Sequence, residues 1–450
     1  MKTPIFDFVE EYKKSSPMRL HMPGHKGTGK LGAEDADITE IRGADVLYSA
    51  DGIIKESMEN ASLLFGSKKT LYSAEGCTLA IRAMLALAVM DAKENGKTPC
   101  ILATRGAHKA FLTSAALLDL IPRWIEPQEG ADLISAQITA EDLKEYLKNC
   151  DEKPTAIYIT SPDYLGQMAD IASLSAICKS EDILLLVDNA HGAYLHFLSE
   201  PCHPLDLGAD MVCDSAHKTL PVLTGGAYLH LASSLSDGII ERAESVLSIF
   251  ASTSPSYLIL QSLDLANCYL ADGYKEKLLE FSSELFNLKK KLRQMGFVLI
   301  DKEPLKIAIR AKESGYFGTA LAELLENEGV RCEFSDPDFL VMMLTPENGL
   351  SSLKQLERIF CKIPIQDPIL IFPPKPCRGK ICMTPKDVLF SPSIEINVEN
   401  AVGRCLAETR ITCPPAVPIA ICGEIITRSH VKAFLYYGIR KVRVIKEQGL

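Results

Sequence analysis

Leu184–Phe197 reads LLLVDNAHGAYLHF and Leu207–Leu220 reads LGADMVCDSAHKTL. Each stretch joins a short apolar run to a polar cluster: Ile183–Val187 runs into Asp188, and Met211–Cys213 is followed by Ser215, His217 and Lys218. Apolar runs this short, bounded by polar or turn residues, read as strands buried on both faces. In an open parallel sheet the carboxyl ends of the strands line the ligand crevice, so Asp188 and Lys218 are expected to face one site. Working outward, Thr155–Thr160 and Gly226–Leu231 read as further strands, with a crossover helix over Ile171–Ser180. Cys77–Asn95, rich in Ala, Leu and Met, reads as a long helix that begins after Gly76 and stops at Asn95-Gly96. The alternation specifies an α/β architecture with a mostly parallel central sheet.

The pattern changes after Asp272-Gly273. Tyr274–Met295 is a charged amphipathic helix, and short strands then alternate with helices such as Gly318–Glu328. Pro-rich stretches follow at Ile371–Pro376 and Cys413-Pro414-Pro415. The expected organisation is an N-terminal arm (1–30), a large domain (31–273), a smaller C-terminal α/β domain (274–370) and a terminal segment (371–450). The 450 residues are 47% hydrophobic, enough for a large core and too apolar for disorder. The 48 Lys and Arg against 58 Asp and Glu give a net charge of −10, and without a basic block there is no footprint for nucleic acid. No apolar run approaches the roughly 18 residues of a membrane span, and the N-terminus lacks a signal-peptide pattern, so a soluble, cytoplasmic protein is expected. The fourteen cysteines are scattered without a C-x-x-C pair and read as small buried thiols, not disulfides. His21 and His25 have no acidic or Cys partner at ligand spacing, and no metal site is expected.

A carboxylate and a lysine at neighbouring strand ends suit pyridoxal phosphate, whose carbonyl takes the lysine amine as a Schiff base while the carboxylate keeps the ring nitrogen protonated. Its phosphate needs backbone N–H groups at a helix start, which Gly76, Cys77 and Thr78 could present. Taken singly, each feature has a plainer reading: a turn aspartate, a chance Ser-x-His-Lys, an ordinary helix-start glycine. Their order and strand context favour the cofactor.

The ordered motifs resemble the ornithine/lysine/arginine decarboxylase family, pyridoxal-phosphate enzymes of the aspartate-aminotransferase fold (fold type I), in its short bacterial form. They are Arg19–Gly27 (RLHMPGHKG), Ala44–Tyr48 (ADVLY), Arg105–Lys109 (RGAHK), Ser161–Gly166 (SPDYLG), Asp188–Ala193 (DNAHGA), Ser215–Lys218 (SAHK), Ser252–Tyr257 (STSPSY) and Cys413–Glu424 (CPPAVPIAICGE). The resemblance implies that Lys218 holds the cofactor, Asp188 pairs with the ring nitrogen, His108 stacks on the ring and Ala190 packs on the opposite face. It also implies that Ser215 and His217 join Gly76–Thr78 around the phosphate, and that Thr253 and Ser254 reach the site of a neighbouring subunit in a homodimer or higher oligomer. The chain departs from the family pattern at Asn189 (commonly Glu), Gly106 (commonly Asn), Asp163 (often Thr), Ala416 (Gly) and Cys422 (often Pro). These departures point to the substrate pocket, not the cofactor.

The implied reaction is decarboxylation of a basic L-amino acid (arginine, lysine or ornithine) to its amine and carbon dioxide, as in polyamine biosynthesis. A distal ammonium or guanidinium needs an acidic partner, for which Glu424, Asp163 and Asp45 are candidates. Two rivals stand beside this reading: an aminotransferase or aldolase-like lyase on the same fold, and a non-catalytic cofactor-binding relative.

Overall fold

The computed structural model describes residues 1–125, 137–300, 302–409 and 418–446. The chain divides into two compact units, Met1–Pro99 with Ile171–Leu278 and Cys100–Asp170 with Leu279–Leu450. Seven strands give the α/β framework: β1 (Lys69–Ser73), β2 (Ile101–Thr104), β3 (Arg123–Ile125), β4 (Ala156–Thr160), β5 (Leu184–Asp188), β6 (Met211–Asp214) and β7 (Ala227–Leu231). Four belong to the first unit, in the order β1-β7-β6-β5, and three to the second, in the order β4-β2-β3.

In the first unit β5 and β6 are parallel, with Val187 opposite Val212, so Asp188 and Asp214 both lie at carboxyl ends. The sheet is not uniformly parallel: β7 runs antiparallel to both β6 and β1. A strand covered on both faces has the same apolar pattern in either direction, so the sequence could not show this reversal. The helix Gly76–Glu94 is buried on nearly every side because it packs on β6, β7 and the helix Asp237–Phe250. That is why its sequence is Ala- and Leu-rich throughout, without a polar stripe.

In the second unit β2 is parallel to both β3 and β4. A separate antiparallel sheet, β8 (Leu299–Ile300), β9 (Lys306–Arg310), β10 (Phe334–Ser335) and β11 (Phe339–Met343), has the order β10-β11-β9-β8. Beyond residue 371, β12 (Ser393–Asn397) pairs with β13 (Lys441–Ile445), and Val398, Leu406, Ile419, Phe434, Val442 and Val444 bury a small core of their own. The motif segment 413–417, including Ala416, lies outside the described residues. Every described cysteine is free, but the expectation of buried thiols holds only in part: Cys77, Cys100, Cys178, Cys213 and Cys422 are buried, whereas Cys361, Cys377 and Cys382 are exposed. Among the described residues no helix is long and apolar enough to cross a membrane.

Several buried carboxyls hold backbone in place. Asp264 accepts the N–H groups of Ile5 and Phe6 (2.9 and 3.0 Å) and the Ser57 hydroxyl (2.6 Å), which anchors the helix Pro4–Lys14. Asp336 accepts the N–H groups of Asp338 (2.7 Å) and Phe339 (2.6 Å) through Oδ1, while its buried Oδ2 has no protein partner. Burial pushes the Asp336 carboxyl up to about 7, against those two N–H donors. A carboxyl whose folded pKa is raised favours folding most below its ordinary pKa near 4 and loses that advantage as the pH rises through the folded value. Buried His230 and His430, whose pKa values burial lowers, act in the opposite sense as the pH falls. The effect of Asp336 is therefore best read against a neutral replacement. Between about pH 5 and pH 8, Asp336→Asn is expected to gain about 2–3 kcal/mol relative to the parent, as measured by urea unfolding at both ends of the range.

Candidate active site

β6 ends on Asp214, and Ser215 leads directly into the one-turn helix Ala216–Thr219 that carries His217 and Lys218. The Lys218 Nζ lies 3.2 Å from the Nε2 of His191. His191 comes three residues after Asp188, in a turn closed by the Gly192 N–H on the Asn189 carbonyl (2.8 Å). The parallel pairing of β5 with β6 thus puts Asp188, His191 and Lys218 in one neighbourhood of the first unit.

Asp188 is 3% exposed, and its Oδ1 accepts the Ala190 N–H (3.2 Å) and the Cys213 thiol (3.7 Å). Burial, followed by Cys77 and the nearby carboxylates, raises the Cys213 pKa well above the ordinary thiol value, so Cys213 keeps its proton and donates it. The Cys77 and Cys213 sulfurs and an Asp188 oxygen all lie within 4.8 Å of one another. Such a cluster of thiols around a carboxylate is accounted for by hydrogen bonding.

A second buried cluster lies one residue along each strand. Asp214, with no exposed surface, accepts hydrogen bonds from Asn189 Nδ2 (2.7 Å), His203 Nε2 (2.9 Å) and His230 Nε2 (3.2 Å). The Leu205 N–H donates to His203 Nδ1 (3.2 Å), which puts the His203 proton on Nε2. Burial drives His230 toward its neutral form, against the pull of Asp214. Burial also opposes the charge on Asp214, but the two histidines outweigh it and hold the carboxyl well below the usual range. The convergence of two imidazoles and a carboxylate is satisfied by these N–H donors without an ion. Asn189 is part of this enclosed cluster through its donation to Asp214.

The phosphate expectation needs one correction. Gly76 opens its helix at φ +69°, and its N–H already donates to the Gly225 carbonyl (2.7 Å). The N–H groups of Cys77 and Thr78 remain, in a first turn that no helical carbonyl can reach. Gly225 sits at φ +101°, where a Cβ would lie 3.0 Å from the Ala74 carbonyl, so this crossing requires bare backbone. His217 is tied to the same turn, donating from Nδ1 to the Gly226 carbonyl (3.0 Å). Ser215 is buried beside it, whereas Thr253 and Ser254 lie on an exposed loop whose Ser252 N–H donates to Glu75 (2.7 Å). A lysine, a buried carboxylate and an open helix N-terminus in one unit fit pyridoxal phosphate.

His108 belongs to the second unit, where its exposed ring caps the helix Lys109–Leu117 by accepting the Ala110 N–H on Nδ1 (3.2 Å). The three carboxylates considered for a substrate cation are all engaged locally. Glu424, fully buried, accepts Arg105 Nη2 (2.9 Å) and the N–H groups of Gly379 (2.6 Å) and Ile421 (2.7 Å). Asp163 Oδ1 accepts Leu165 and Gln167 N–H groups (3.0 and 2.8 Å), and burial pushes this carboxyl up to about 6. In the first unit, Asp45 accepts the N–H groups of Val46, Asp51, Gly52 and Ile54. Arg105 as the partner of Glu424 and His191 as the neighbour of Lys218 had no assigned role in the sequence. Both lie inside quoted motifs, but only geometry pairs them.

The fold is that of the α/β pyridoxal-phosphate enzymes of fold type I. The solved structure of the constitutive lysine decarboxylase of E. coli matches at a TM-score of 0.79 over 99% of this chain and 82% of that one, at 18% identity. The model for "Orn/Lys/Arg decarboxylase, major domain" matches residues 3–302, and the chain belongs to that family. It is similar to the uncharacterized protein YaaO of Bacillus subtilis, 31% identical over 96% of this chain and 93% of that protein. It is also similar to the arginine decarboxylase of the same organism, 29% identical over 99% and 98%. The protein is thus a pyridoxal-phosphate-dependent carboxy-lyase of a basic amino acid.

Asn189→Asp would set a second carboxylate against Asp214 in a fully buried site. It is expected to cost about 3–5 kcal/mol of folding stability in the cofactor-free protein, measured by urea unfolding near neutral pH.

Proposed function

We propose that this protein decarboxylates L-arginine to agmatine in the cytoplasm, supplying polyamine synthesis, and that it works as a homodimer. The observation that carries the catalytic reading is the 3.2 Å contact between Lys218 Nζ and His191 Nε2, one strand from the buried Asp188. The choice of arginine is supported by relatives named arginine decarboxylase that match over nearly the whole chain.

When bound, pyridoxal phosphate supplies an electron sink for the bond to the departing carboxylate. The chain's own residues do the rest. Lys218 would hold the cofactor through its side-chain amine. Asp188, its Oδ1 steadied by Ala190 and Cys213, would pair with the ring nitrogen and favour its protonated form. Cys77 and Thr78 offer first-turn N–H groups to the phosphate, and Ser215 and His217 border them. His191 takes up and returns the proton that Lys218 exchanges, so the pair can protonate the substrate α-carbon after carbon dioxide leaves. His108 keeps the stacking role, and Thr253 and Ser254 the intersubunit role, that the family resemblance assigns. The large domain to residue 273, the smaller one to 370 and the terminal segment are likewise our reading.

Purified protein supplied with cofactor is expected to release agmatine from arginine in preference to cadaverine from lysine or putrescine from ornithine. Colour without any amine product would leave a cofactor-binding relative instead. Lys218→Ala should abolish turnover and the borohydride-fixed cofactor peptide. His191→Gln should retain that peptide but lose about 100-fold or more in kcat, and an unchanged kcat would remove His191 from the mechanism.

A further inference from the structure

In the second unit, Glu424 has no exposed surface and sits in backbone held on both sides. Ile381 bridges to Glu424 on one side and Cys405 to Ile425 on the other, and the Leu406 N–H donates to the Glu424 carbonyl (2.9 Å). A Cβ at Gly379 would lie 1.9 Å from the Ile425 carbonyl, so the chain passes this closely only as bare backbone. Leu406 belongs to the small C-terminal core, which therefore places the carboxylate. Oε1 accepts the Gly379 N–H (2.6 Å), and Oε2 accepts the Ile421 N–H (2.7 Å) and Arg105 Nη2 (2.9 Å). His430 approaches Oε1 to 3.9 Å through Nε2, the nitrogen that carries its proton because the Thr427 N–H donates to Nδ1 (3.1 Å). Burial, against the pull of Glu424 and with the help of Arg105, drives His430 toward its neutral form, so the guanidinium is the cation that balances Glu424.

Arg105 is the first residue past β2 and opens the turn that ends on His108. The Ala107 N–H donates back to the Thr104 carbonyl (3.1 Å), and the Thr160 hydroxyl donates to the Gly106 carbonyl (3.3 Å). Gly106 and Ala107 bring no polar side chain, and Arg105 ties the turn to a carboxylate 319 residues further along the chain. We propose that Arg105 and Glu424 are positioning residues, an ion pair through which the C-terminal core fixes the turn that presents His108 to the cofactor. This rests on the stacking role proposed for His108 and adds what holds the ring in place. An amide at position 424 breaks the arrangement whichever way it turns, because its NH2 then faces either the Gly379 N–H or the Ile421 N–H together with Arg105.

Amide hydrogen exchange in the cofactor-free protein reads the turn directly, at the N–H groups of Ala107, Ala110 and Phe111, which bond to the Thr104 carbonyl, the His108 ring and the His108 carbonyl. Glu424→Gln and Arg105→Ala are each expected to speed exchange over residues 107–111 about 10-fold, while Arg105→Lys keeps most of the parent's protection. Val341→Ala, in the separate core of the β8–β11 sheet, should lower the melting temperature and leave that exchange unchanged. In the holoenzyme, Glu424→Gln and Arg105→Ala should shift the visible circular dichroism of the bound cofactor as His108→Ala does. They should also lose about 10-fold in kcat on whichever of arginine, lysine and ornithine the parent decarboxylates. Parent-like exchange over residues 107–111 in both variants overturns the proposal, and so does equal acceleration in Val341→Ala, which would reduce the effect to general stability. A looser turn with an unchanged spectrum and kcat overturns it as well. A parent-like spectrum in His108→Ala would instead overturn the stacking role, with the anchoring of the turn still decided by the exchange measurement.

Discussion

A single enclosed carboxylate, Asp214, sets the geometry of the first unit. A charge with no exposed surface is costly unless its hydrogen-bonding capacity is filled, and here three N–H donors fill it. Those donors come from different places: Asn189 just after β5, His203 from a loop and His230 from β7. Satisfying Asp214 therefore fixes how β5 ends, how the loop before β6 returns and which residue β7 offers. Asn189 reaches into the protein toward Asp214 while its neighbour Asp188 is held by Ala190 and Cys213. Four residues after Asp214 the chain delivers Lys218. Lys218 thus follows closely on a cluster that is fully enclosed.

The two neighbouring carboxylates serve different ends because their donors differ. Asp214 is saturated by amide and imidazole N–H groups, so its charge is spent inside the protein. Asp188 Oδ1 receives one backbone N–H and one thiol, and a thiol is a weak donor. Two acids at the ends of paired strands thus sit among different donors, Asp214 among an amide and two imidazoles and Asp188 beside a backbone N–H and a thiol.

Much of this was legible in the sequence. The apolar runs ending on Asp188 and before Ser215 identified the strand ends, and the Ala- and Leu-rich segment after Gly76 identified the helix that faces them. These signals are local: strand burial and helix packing leave their mark on residue type. The direction of β7 was not legible, because a doubly covered strand looks alike either way. Nor was the use of the Gly76 N–H by Gly225, since a glycine before a helix reads the same whether its amide is free or bonded. Asn189 was noticed only as a departure. Its role depends on Asp214, 25 residues away, and on two histidines, a long-range convergence that no spacing rule announces.

The same limit governs the substrate. Glu424, Asp163 and Asp45 stand in motifs shared with decarboxylases of cationic amino acids, which makes them natural candidates for binding a cation. The structure gives each of them donors from the protein itself: a guanidinium and two N–H groups for Glu424, turn N–H groups for Asp163 and Asp45. A carboxylate oxygen whose lone pairs already receive such donors has little left for a second guanidinium, and a bidentate pairing needs both oxygens at once. Arg105 in particular occupies on Glu424 the kind of site that substrate arginine would need. Glu424 and Asp45 are thus engaged through both oxygens, whereas Asp163 is engaged through Oδ1 and its buried Oδ2 has no protein hydrogen-bond partner.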